Sequence, residues 1–150
     1  MKKLTLMLAS ALVLGLSSCS KDDDAGFSLN TTELQGKWNF NTERGLINGT
    51  EVSPASNYFG NATGCSRDYI QFNADMSAVE GDYENAGSTC ELFLNNATYT
   101  TSGNTIAIVS NGTTTSYNVI SQNATSMTVQ EVEAFEGASF VTEYTFLKAE

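Results

Sequence analysis

The chain of 150 residues contains no histidine and few basic residues. Without histidine, the Ser-His-Asp and Cys-His mechanisms have no general base, and the commonest proton shuttle at neutral pH is missing. Lysine and arginine number 7 against 17 acidic residues, which gives a net charge of -10. So acidic a chain repels phosphate backbones and has no basic cluster for contacting them. These deficits exclude a histidine-based hydrolase and a nucleic-acid-binding protein.

The sequence also has no apolar run at its amino end that is long enough to span a membrane. Residues 4–16 form a stretch of 13 (16 − 4 + 1), and two hydroxyl residues interrupt it. A membrane-spanning helix needs about 20 apolar residues. The stretch follows two lysines and ends in small residues before Cys19, which is the arrangement of a cleavable export signal. We therefore expect it to be removed.

The segment Leu16-Ser17-Ser18-Cys19 resembles the lipobox of bacterial lipoproteins. In such proteins the cysteine thiol is diacylated, the chain is cut before the cysteine, and the new amino end is acylated. The resemblance implies that residues 1–18 are a signal peptide and that Cys19 carries a lipid anchor. Two or three acyl chains bind a bilayer far more firmly than one, so the anchor is expected to be permanent. The alternative is a secretory signal cut elsewhere, which leaves Cys19 as an unpaired thiol.

Residues 20–26, Ser-Lys-Asp-Asp-Asp-Ala-Gly, are charged and have almost nothing to bury. We expect residues 19–32 to form a lipidated, flexible acidic tether that precedes one folded domain at 33–150. A lysine and an acidic run after a lipidated cysteine resemble the export signal of surface lipoproteins in the Bacteroidetes. This implies an outer-membrane protein exposed at the cell surface. A solvated spacer on an inward-facing lipoprotein is the alternative.

From residue 33 onward, polar and apolar side chains alternate as in half-buried strands. Trp38 and Phe40 share a face of the first predicted strand, residues 37–41. A long connection at 42–64, with room for a short strand near Glu51, follows. Further strands are predicted at 68–72, 77–83, 91–101, 105–110, 113–121, 125–135 and 139–148. About eight strands with hairpin turns and no helix predict an all-β antiparallel barrel or sandwich, and the meander order favours the barrel.

Carboxylates recur at alternate positions in two of the predicted strands. In the strand at 77–83 we expect Val79, Gly81 and Tyr83 to face inward. Six acidic residues are then interpreted as solvated: Glu80, Asp82, Glu84, Glu131, Glu133 and Glu136. A change of apolar phase in the strand at 125–135 predicts a bulge near Gln130. The alternative is chemical, because paired carboxylates can cut glycosides and oxygen clusters can hold calcium.

Two segments carry a family resemblance. Leu34-Gln35-Gly36-Lys37-Trp38, with its Gly-x-Trp opening the first strand, and the final Tyr144-Thr145-Phe146-Leu147-Lys148 resemble the first and last strands of a lipocalin. The resemblance covers residues 33–150 and implies an up-and-down β-barrel of about eight strands. It also implies that Trp38 lies at the closed end of the barrel against Lys148, a cation-π contact worth roughly 0.5–2 kcal/mol. The terminal helix of the family is not found in the sequence.

Cys65 and Cys90 are the two thiols that remain after lipidation of Cys19. Outside the cytoplasm an even pair of cysteines predicts a disulfide bond. Closing a loop of 25 residues (90 − 65) stabilises a fold by about 3 kcal/mol in the chain-entropy treatment. A two-cysteine metal site is the alternative, but it lacks histidine and a second cysteine pair. We expect neither a metal nor another cofactor.

Three classes of function remain open. The first is a binding module, since an eight-stranded barrel is just wide enough for one small, apolar ligand. Six aromatic side chains are candidates for its mouth: Tyr58, Phe59, Tyr83, Tyr99, Tyr117 and Phe135. Each of them is alternatively plain core or lid packing. The second class is a structural or protein-interaction module of the cell envelope with a filled barrel. The third, an enzyme, is not expected, because no nucleophile and base are paired in the sequence.

Overall fold

The computed structural model describes residues 27–150, except for the side chain at position 135. The predicted signal peptide, the lipidated Cys19 and the charged stretch up to residue 26 lie outside the described residues. Those predictions therefore stay predictions. Within residues 27–150, no helix is both long enough and apolar enough to cross a bilayer.

The described chain folds into one short helix followed by nine strands. The elements are α1 (Thr31–Leu34), β1 (Gly36–Ile47), β2 (Thr50–Asn57), β3 (Tyr69–Phe72), β4 (Ser77–Asn85), β5 (Cys90–Ser102), β6 (Thr105–Ser110), β7 (Thr113–Gln122), β8 (Ser126–Phe135) and β9 (Ala138–Lys148). Sheet neighbours are antiparallel in the order β2-β1-β3-β4-β5-β6-β7-β8-β9, and β1 also pairs with β9. Eight strands thus close an up-and-down barrel, as predicted, and β2 is an additional strand beside β1.

The folded domain begins earlier than the expected boundary at residue 33. Phe27 and Leu29 pack against the core, and Asn104 Nδ2 donates a hydrogen bond to the Phe27 carbonyl at 2.6 Å. The single turn α1 follows, and the Asn30 side chain caps it by accepting from two backbone amides. A helix of four residues has no periodicity that the sequence could reveal, which is why none was expected.

The expected connection at 42–64 is too long, because its first part is the second half of β1, while the short strand expected near Glu51 is present as β2. Asn48 and Gly49 join these strands with φ of 49° and 78°, the left-handed values that a tight hairpin needs. Every residue of β2 is exposed, so its sequence shows no apolar alternation. In β1 the register shifts between Phe40 and Thr42, which changes the phase of the strand. Only residues 58–68 remain as a connection.

One end of the barrel holds the apolar core, and we call it the closed half. Its buried side chains come from α1 and from every strand except β2: Leu34, Trp38, Phe40, Ile70, Phe72, Ala78, Ala97, Tyr99, Ile106, Ile108, Val119, Met127, Val129 and Phe146. The Trp38 indole Nε1 donates to the Leu34 carbonyl at 2.7 Å. Lys148 Nζ lies 4.9 Å from the centroid of the Trp38 ring and donates to the Glu33 carbonyl. These contacts fasten α1 across the end of the barrel.

The orientation expected for β4 is wrong. Glu80 pairs with Ile70, a core residue, and paired residues share a face of the sheet. Glu80, and Asp82 two positions further on, therefore lie on the inner face. Gly81 is buried on the outer face beneath the Tyr69 ring, where an added Cβ would lie 2.2 Å from a ring carbon. Gly81 and Tyr83 therefore lie beside Tyr69 on the outer face, whereas Ala78 of the same strand belongs to the core.

The bulge expected near Gln130 is also absent, because β8 pairs with β9 in unbroken register. The register shift lies instead in β7, where that strand pairs with β8. Glu131 consequently follows Val129 on the inner face, and Val132 points outward with 56 % of its surface exposed. The apolar residues of β8 change phase because its inner face changes from apolar at Val129 to acidic at Glu131, while the strand itself stays regular.

Candidate functional site

The other end of the barrel, which we call the open half, carries the turns at 48–49, 86–89, 111–112 and 136–137 and the connection 58–68. A cavity of about 190 Å³ lies there. Its lining combines aromatic, aliphatic and acidic side chains: Phe40, Tyr58, Tyr69, Ile70, Glu80, Asp82 and Tyr117. The bottom of the cavity is therefore the top of the apolar core, and its walls are polar.

Hydrogen bonds attach the connection 58–68 to β1. The Tyr58 amide donates to the Asn41 carbonyl at 3.1 Å, and Asn61 Nδ2 donates to the Phe40 carbonyl at 3.1 Å. The Asn61 side-chain oxygen accepts from the Asp68 amide at 2.9 Å. The Tyr58 ring stacks on the Phe40 ring with the centroids 4.2 Å apart. The connection is thus an ordered part of the cavity wall, and it places Tyr58 in the cavity.

A disulfide bond ties this connection to the start of β5. Cys65 and Cys90 are bonded, with their Cα atoms 5.6 Å apart, which confirms the predicted pairing. Asn85 Nδ2, at the end of β4, donates to the Thr63 carbonyl at 3.1 Å. Both contacts hold the connection against the β4–β5 hairpin.

Three tyrosines meet in the open half. The Tyr144 ring makes edge contacts with the Tyr58 and Tyr117 rings, with centroids 5.9 and 6.2 Å apart. Burial first, and then the charges of nearby carboxylates, Asp68 foremost, raise the pKa of Tyr58 to about 12. Burial first and Glu131 second raise the pKa of Tyr117 and of Tyr144 as well. All three phenols stay protonated and can donate hydrogen bonds at neutral pH.

Carboxylates project into the open half from opposite sides. Glu80 and Asp82 belong to β4, and Glu131 belongs to β8, which lies four strands away in either direction around the ring of eight. Tyr144 Oη donates to a Glu131 carboxylate oxygen at 3.4 Å. Burial raises the pKa of Glu131, and the neighbouring Glu133 raises it further. Within residues 27–150, no three side chains of His, Cys, Asp or Glu are grouped so that they could hold a metal ion.

Asp68 is the most buried carboxylate of this region, with 4 % of its surface exposed. Its Oδ1 accepts a hydrogen bond from the Tyr83 amide at 2.7 Å. Burial raises the pKa of Asp68, the hydrogen bond from Tyr83 lowers it, and the charge of Asp82 raises it. A carboxylate in this position adds negative potential directly beside the Tyr58 ring.

Two of the six aromatic residues expected at the mouth line the cavity, namely Tyr58 and Tyr117. The side chain of Phe135 lies outside the description of the structure. The position of Tyr117 could be predicted from the sequence, because Tyr117 lies on the same face of β7 as the apolar Val119.

The other three aromatic residues lie elsewhere, which corrects the expectation for them. Tyr99 belongs to the core of the closed half, where its hydroxyl donates to the Asn73 carbonyl at 2.8 Å. Tyr83 lies on the outer face beside Tyr69, because β4 has the opposite phase to the one expected. Phe59 is 91 % exposed. The aromatic character of these residues is visible in the sequence, but the face of the sheet on which each of them lies is not.

Comparison with known families assigns the fold. The family model described as a lipocalin-like domain matches residues 34–129. The chain belongs to this lipocalin-like family. The resemblance to the lipocalin family is thereby confirmed, and the match includes the Gly-x-Trp segment. Among curated proteins, none matches the sequence.

Solved structures share this lipocalin-like fold at low identity. A lipocalin-like protein from Bacteroides uniformis aligns with a TM-score of 0.55 and 14 % identity, over 78 % of this chain and 99 % of that one. Lobster apocrustacyanin A1 aligns with a TM-score of 0.52 and 12 % identity, over 80 % and 63 % of the two chains. At such identities the likeness shows the fold alone, so a function has to be argued from the site.

Proposed function

We propose that this lipocalin-like protein binds one small ligand with an apolar body in the open half of its barrel. The cavity of about 190 Å³ carries this proposal. An engineered cavity of about 150 Å³ holds benzene, so a ring with a short substituent is the right size. Phe40 and Ile70 offer apolar contact at the bottom, and Tyr58 and Tyr117 offer hydroxyl donors at the sides. Ligand sites usually combine apolar contact with a few placed polar groups, and this cavity offers both, with an apolar bottom and polar walls.

The second candidate is an envelope module whose barrel is filled and binds no ligand. The closed half fits that description, since Trp38, Ile106 and Val119 are at most 1 % exposed. The open half does not fit it, because half-buried tyrosines and carboxylates surround a cavity there. The two candidate functions therefore make different predictions for the lumen between β4 and β8, which holds a ligand in the first and no ligand in the second.

A pair of adjacent substitutions on β5 separates these candidates. Asn95 pairs with Glu80 and shares its inner face, whereas Asn96 pairs with Val79 and is exposed on the outer face. Asn95→Phe fills the mouth of the cavity, and Asn96→Phe adds the same ring outside it. The full chain, purified in a non-ionic detergent, is examined by native mass spectrometry for a co-purifying small molecule.

The proposal expects a bound molecule in the parent chain and in the Asn96→Phe variant, and its loss in the Asn95→Phe variant. Titration with benzyl alcohol, followed by NMR, is the second readout. The parent chain and the Asn96→Phe variant are expected to bind benzyl alcohol, and the Asn95→Phe variant is expected to lose this binding. A parent chain with neither a co-purifying molecule nor saturable benzyl alcohol binding contradicts the proposal and favours the filled module.

The same proposal includes anchoring to the outer membrane through a lipid on Cys19, with the domain facing the medium. The short apolar run, the small residues before Cys19 and the acidic stretch after it support this location. Palmitate labelling of the parent chain is expected to disappear in a Cys19→Ala variant. Protease treatment of intact cells is expected to remove the domain, and a protected domain would contradict surface exposure.

The proposed activity is binding without catalysis. The cavity contains carboxylates and phenols, but a hydrolase would need a paired acid and base acting on a bound bond. A screen of glycoside and ester substrates is expected to show no turnover. Turnover that falls on Glu80→Gln substitution would overturn this part of the proposal.

A further inference from the structure

The charges around the cavity have one sign. Its lining contains two carboxylates, Glu80 and Asp82, and no lysine or arginine. Glu131 lies across the lumen on β8, and Glu43 pairs with Tyr144 on the inner face of β1. Charges interact more strongly in the partly desolvated lumen than on the surface, because the effective dielectric constant is lower. The potential in the open half is therefore strongly negative.

Three basic side chains around the barrel wall, those of Lys37, Arg44 and Arg67, are engaged with other groups, and Arg67 Nη1 donates a hydrogen bond to Asn41 Oδ1. Arg44 Nε donates to Glu143 Oε1 at 2.7 Å, and its Nη1 lies 3.4 Å from a Glu51 oxygen. Lys37 Nζ lies over the outer Tyr69 ring, 3.6 Å from its centroid. Both ion pairs found in residues 27–150 belong to Arg44. The cavity carboxylates have no ion-pair partner within that part of the chain.

Asp68 adds a further negative charge close to the cavity. Asp68 is 4 % exposed, and its Oδ1 accepts from the Tyr83 amide. The charge of Asp68 acts on Tyr58, which lines the cavity. A positively charged ligand group in the cavity would be attracted by the Asp68 charge as well.

The remaining walls are aromatic. The Tyr144 ring lies within contact distance of the rings of both Tyr58 and Tyr117. Cations are attracted to the faces of aromatic rings by about 0.5–2 kcal/mol, and cages of such rings hold quaternary ammonium groups. The open half therefore combines two features that favour positive charge: carboxylates without an ion-pair partner, and tyrosine rings.

We infer that the ligand is an organic cation, a protonated or quaternary amine on an apolar body about the size of a benzene ring. The inference rests on the proposed function above and adds the charge of the ligand. The apolar body lies against Phe40 and Ile70, and the ammonium group lies among Glu80, Asp82 and Glu131. Carboxylates on opposite walls with rings between them suit a bulky cation. Calcium instead needs six to eight oxygens at about 2.3–2.6 Å.

Three soluble probes of one shape and different charge test the inference. Benzylammonium is cationic at pH 7, benzyl alcohol is neutral and benzoate is anionic. Each is titrated into the full chain in a non-ionic detergent, and the dissociation constant is measured by NMR. Benzylammonium is expected to bind about tenfold more tightly than benzyl alcohol, and benzoate more weakly than both. Added salt is expected to narrow the difference, because it screens the carboxylates.

Two double variants with the same change of net charge locate the effect. Glu80→Gln with Glu131→Gln removes one charge from each wall of the lumen. Glu33→Gln with Glu150→Gln removes two charges at the opposite end of the barrel. The first variant is expected to lower benzylammonium affinity about tenfold and to change benzyl alcohol affinity by much less. The second variant is expected to change neither affinity.

The outcomes separate this inference from the function on which it rests. Equal affinities for benzylammonium and benzyl alcohol overturn the inferred charge of the ligand and leave a small-ligand site in place. Calcium that binds saturably, displaces benzylammonium and loses its affinity in the Glu80→Gln, Glu131→Gln variant also overturns it, in favour of a metal site. No saturable binding of any of the three aromatic probes overturns both the inference and the proposed function.

Discussion

The closed and open halves of the barrel are built from the same strands and differ in what their inner faces hold. Along β8, the inner face begins with Met127 and Val129, both at most 2 % exposed, and continues with Glu131. Along β7 it runs from Val119 to the half-buried Tyr117. The boundary between core and site thus crosses the strands. One strand stabilises the fold at one end and shapes a cavity at the other.

The two halves also differ in what they do to stability. Burial of apolar surface in the closed half stabilises the fold by roughly 25 cal/mol per Å². Partial burial of Glu131 and Asp68 in the open half has the opposite effect, since it raises the pKa of both carboxyls. Features that cost stability are typical of functional sites. The difference between the halves can be tested by substitutions matched across the boundary.

The largest effect is expected from Trp38→Ala in the closed half. Removing this fully buried ring should lower the free energy of unfolding by about 3–5 kcal/mol. Tyr117→Ala in the open half should cost less than about half of that, because its side chain is only half-buried. Urea unfolding followed by circular dichroism measures both. Equal losses would show that the two halves are packed alike.

Removal of the disulfide should have the next largest effect. A Cys65→Ser, Cys90→Ser variant opens a loop of 25 residues, which should cost about 3 kcal/mol in the free energy of unfolding. The bond lies in the open half, so hydrogen exchange at 58–68 should rise more than exchange in β6. A loss below about 1 kcal/mol, or uniform exchange, would mean that the connection is held by other contacts.

Lys148→Met should have a smaller effect at the closed end. The substitution keeps an apolar chain but removes the ammonium group from the Trp38 ring and from the Glu33 carbonyl. The expected loss is about 1–2 kcal/mol. Lys37→Met is the matched control, since its ammonium lies over Tyr69 on the outer face. If the control costs as much as Lys148→Met, the contact at the closed end has no special role.

The smallest effect, and the one of opposite sign, is expected from Glu131→Gln. The pKa of Glu131 is raised in the folded state, so its ionisation opposes folding at pH 7. The variant should be more stable by about 0.5 kcal/mol there, the scale of a partly exposed charge. The advantage should disappear as the pH falls below the unfolded-state pKa of about 4.3. Thermal unfolding from pH 3 to 7 measures it, with Glu150→Gln as the unchanged control.

Much of the closed half could be predicted from the sequence, because local signals and burial agree there. Trp38 and Phe40 alternate with polar residues, which places both on the inner face of β1. In the open half the disulfide could also be predicted, because an even pair of cysteines was expected to pair outside the cytoplasm. Each of these signals lies within a few residues of the structure that it specifies or reflects a covalent constraint.

The open half could not be predicted in the same way, because its inner and outer faces are both partly polar. In β4 the apolar phase belongs to the outer face, where Tyr69 from β3 covers Gly81. That contact depends on the pairing of the two strands, which alternation within one strand does not reveal. The change of phase after Val129 in β8 was the one visible sign of an acidic lumen, and it was interpreted as a bulge.

The most direct test of the division of the barrel is a map of where benzylammonium binds. Two-dimensional NMR of the full chain, with and without the probe, should show the largest shifts at Tyr58, Glu80 and Tyr117. Signals of Ile106 and Met127 in the closed half should stay in place. Shifts confined to the closed half or to the outer face of the barrel would contradict the account.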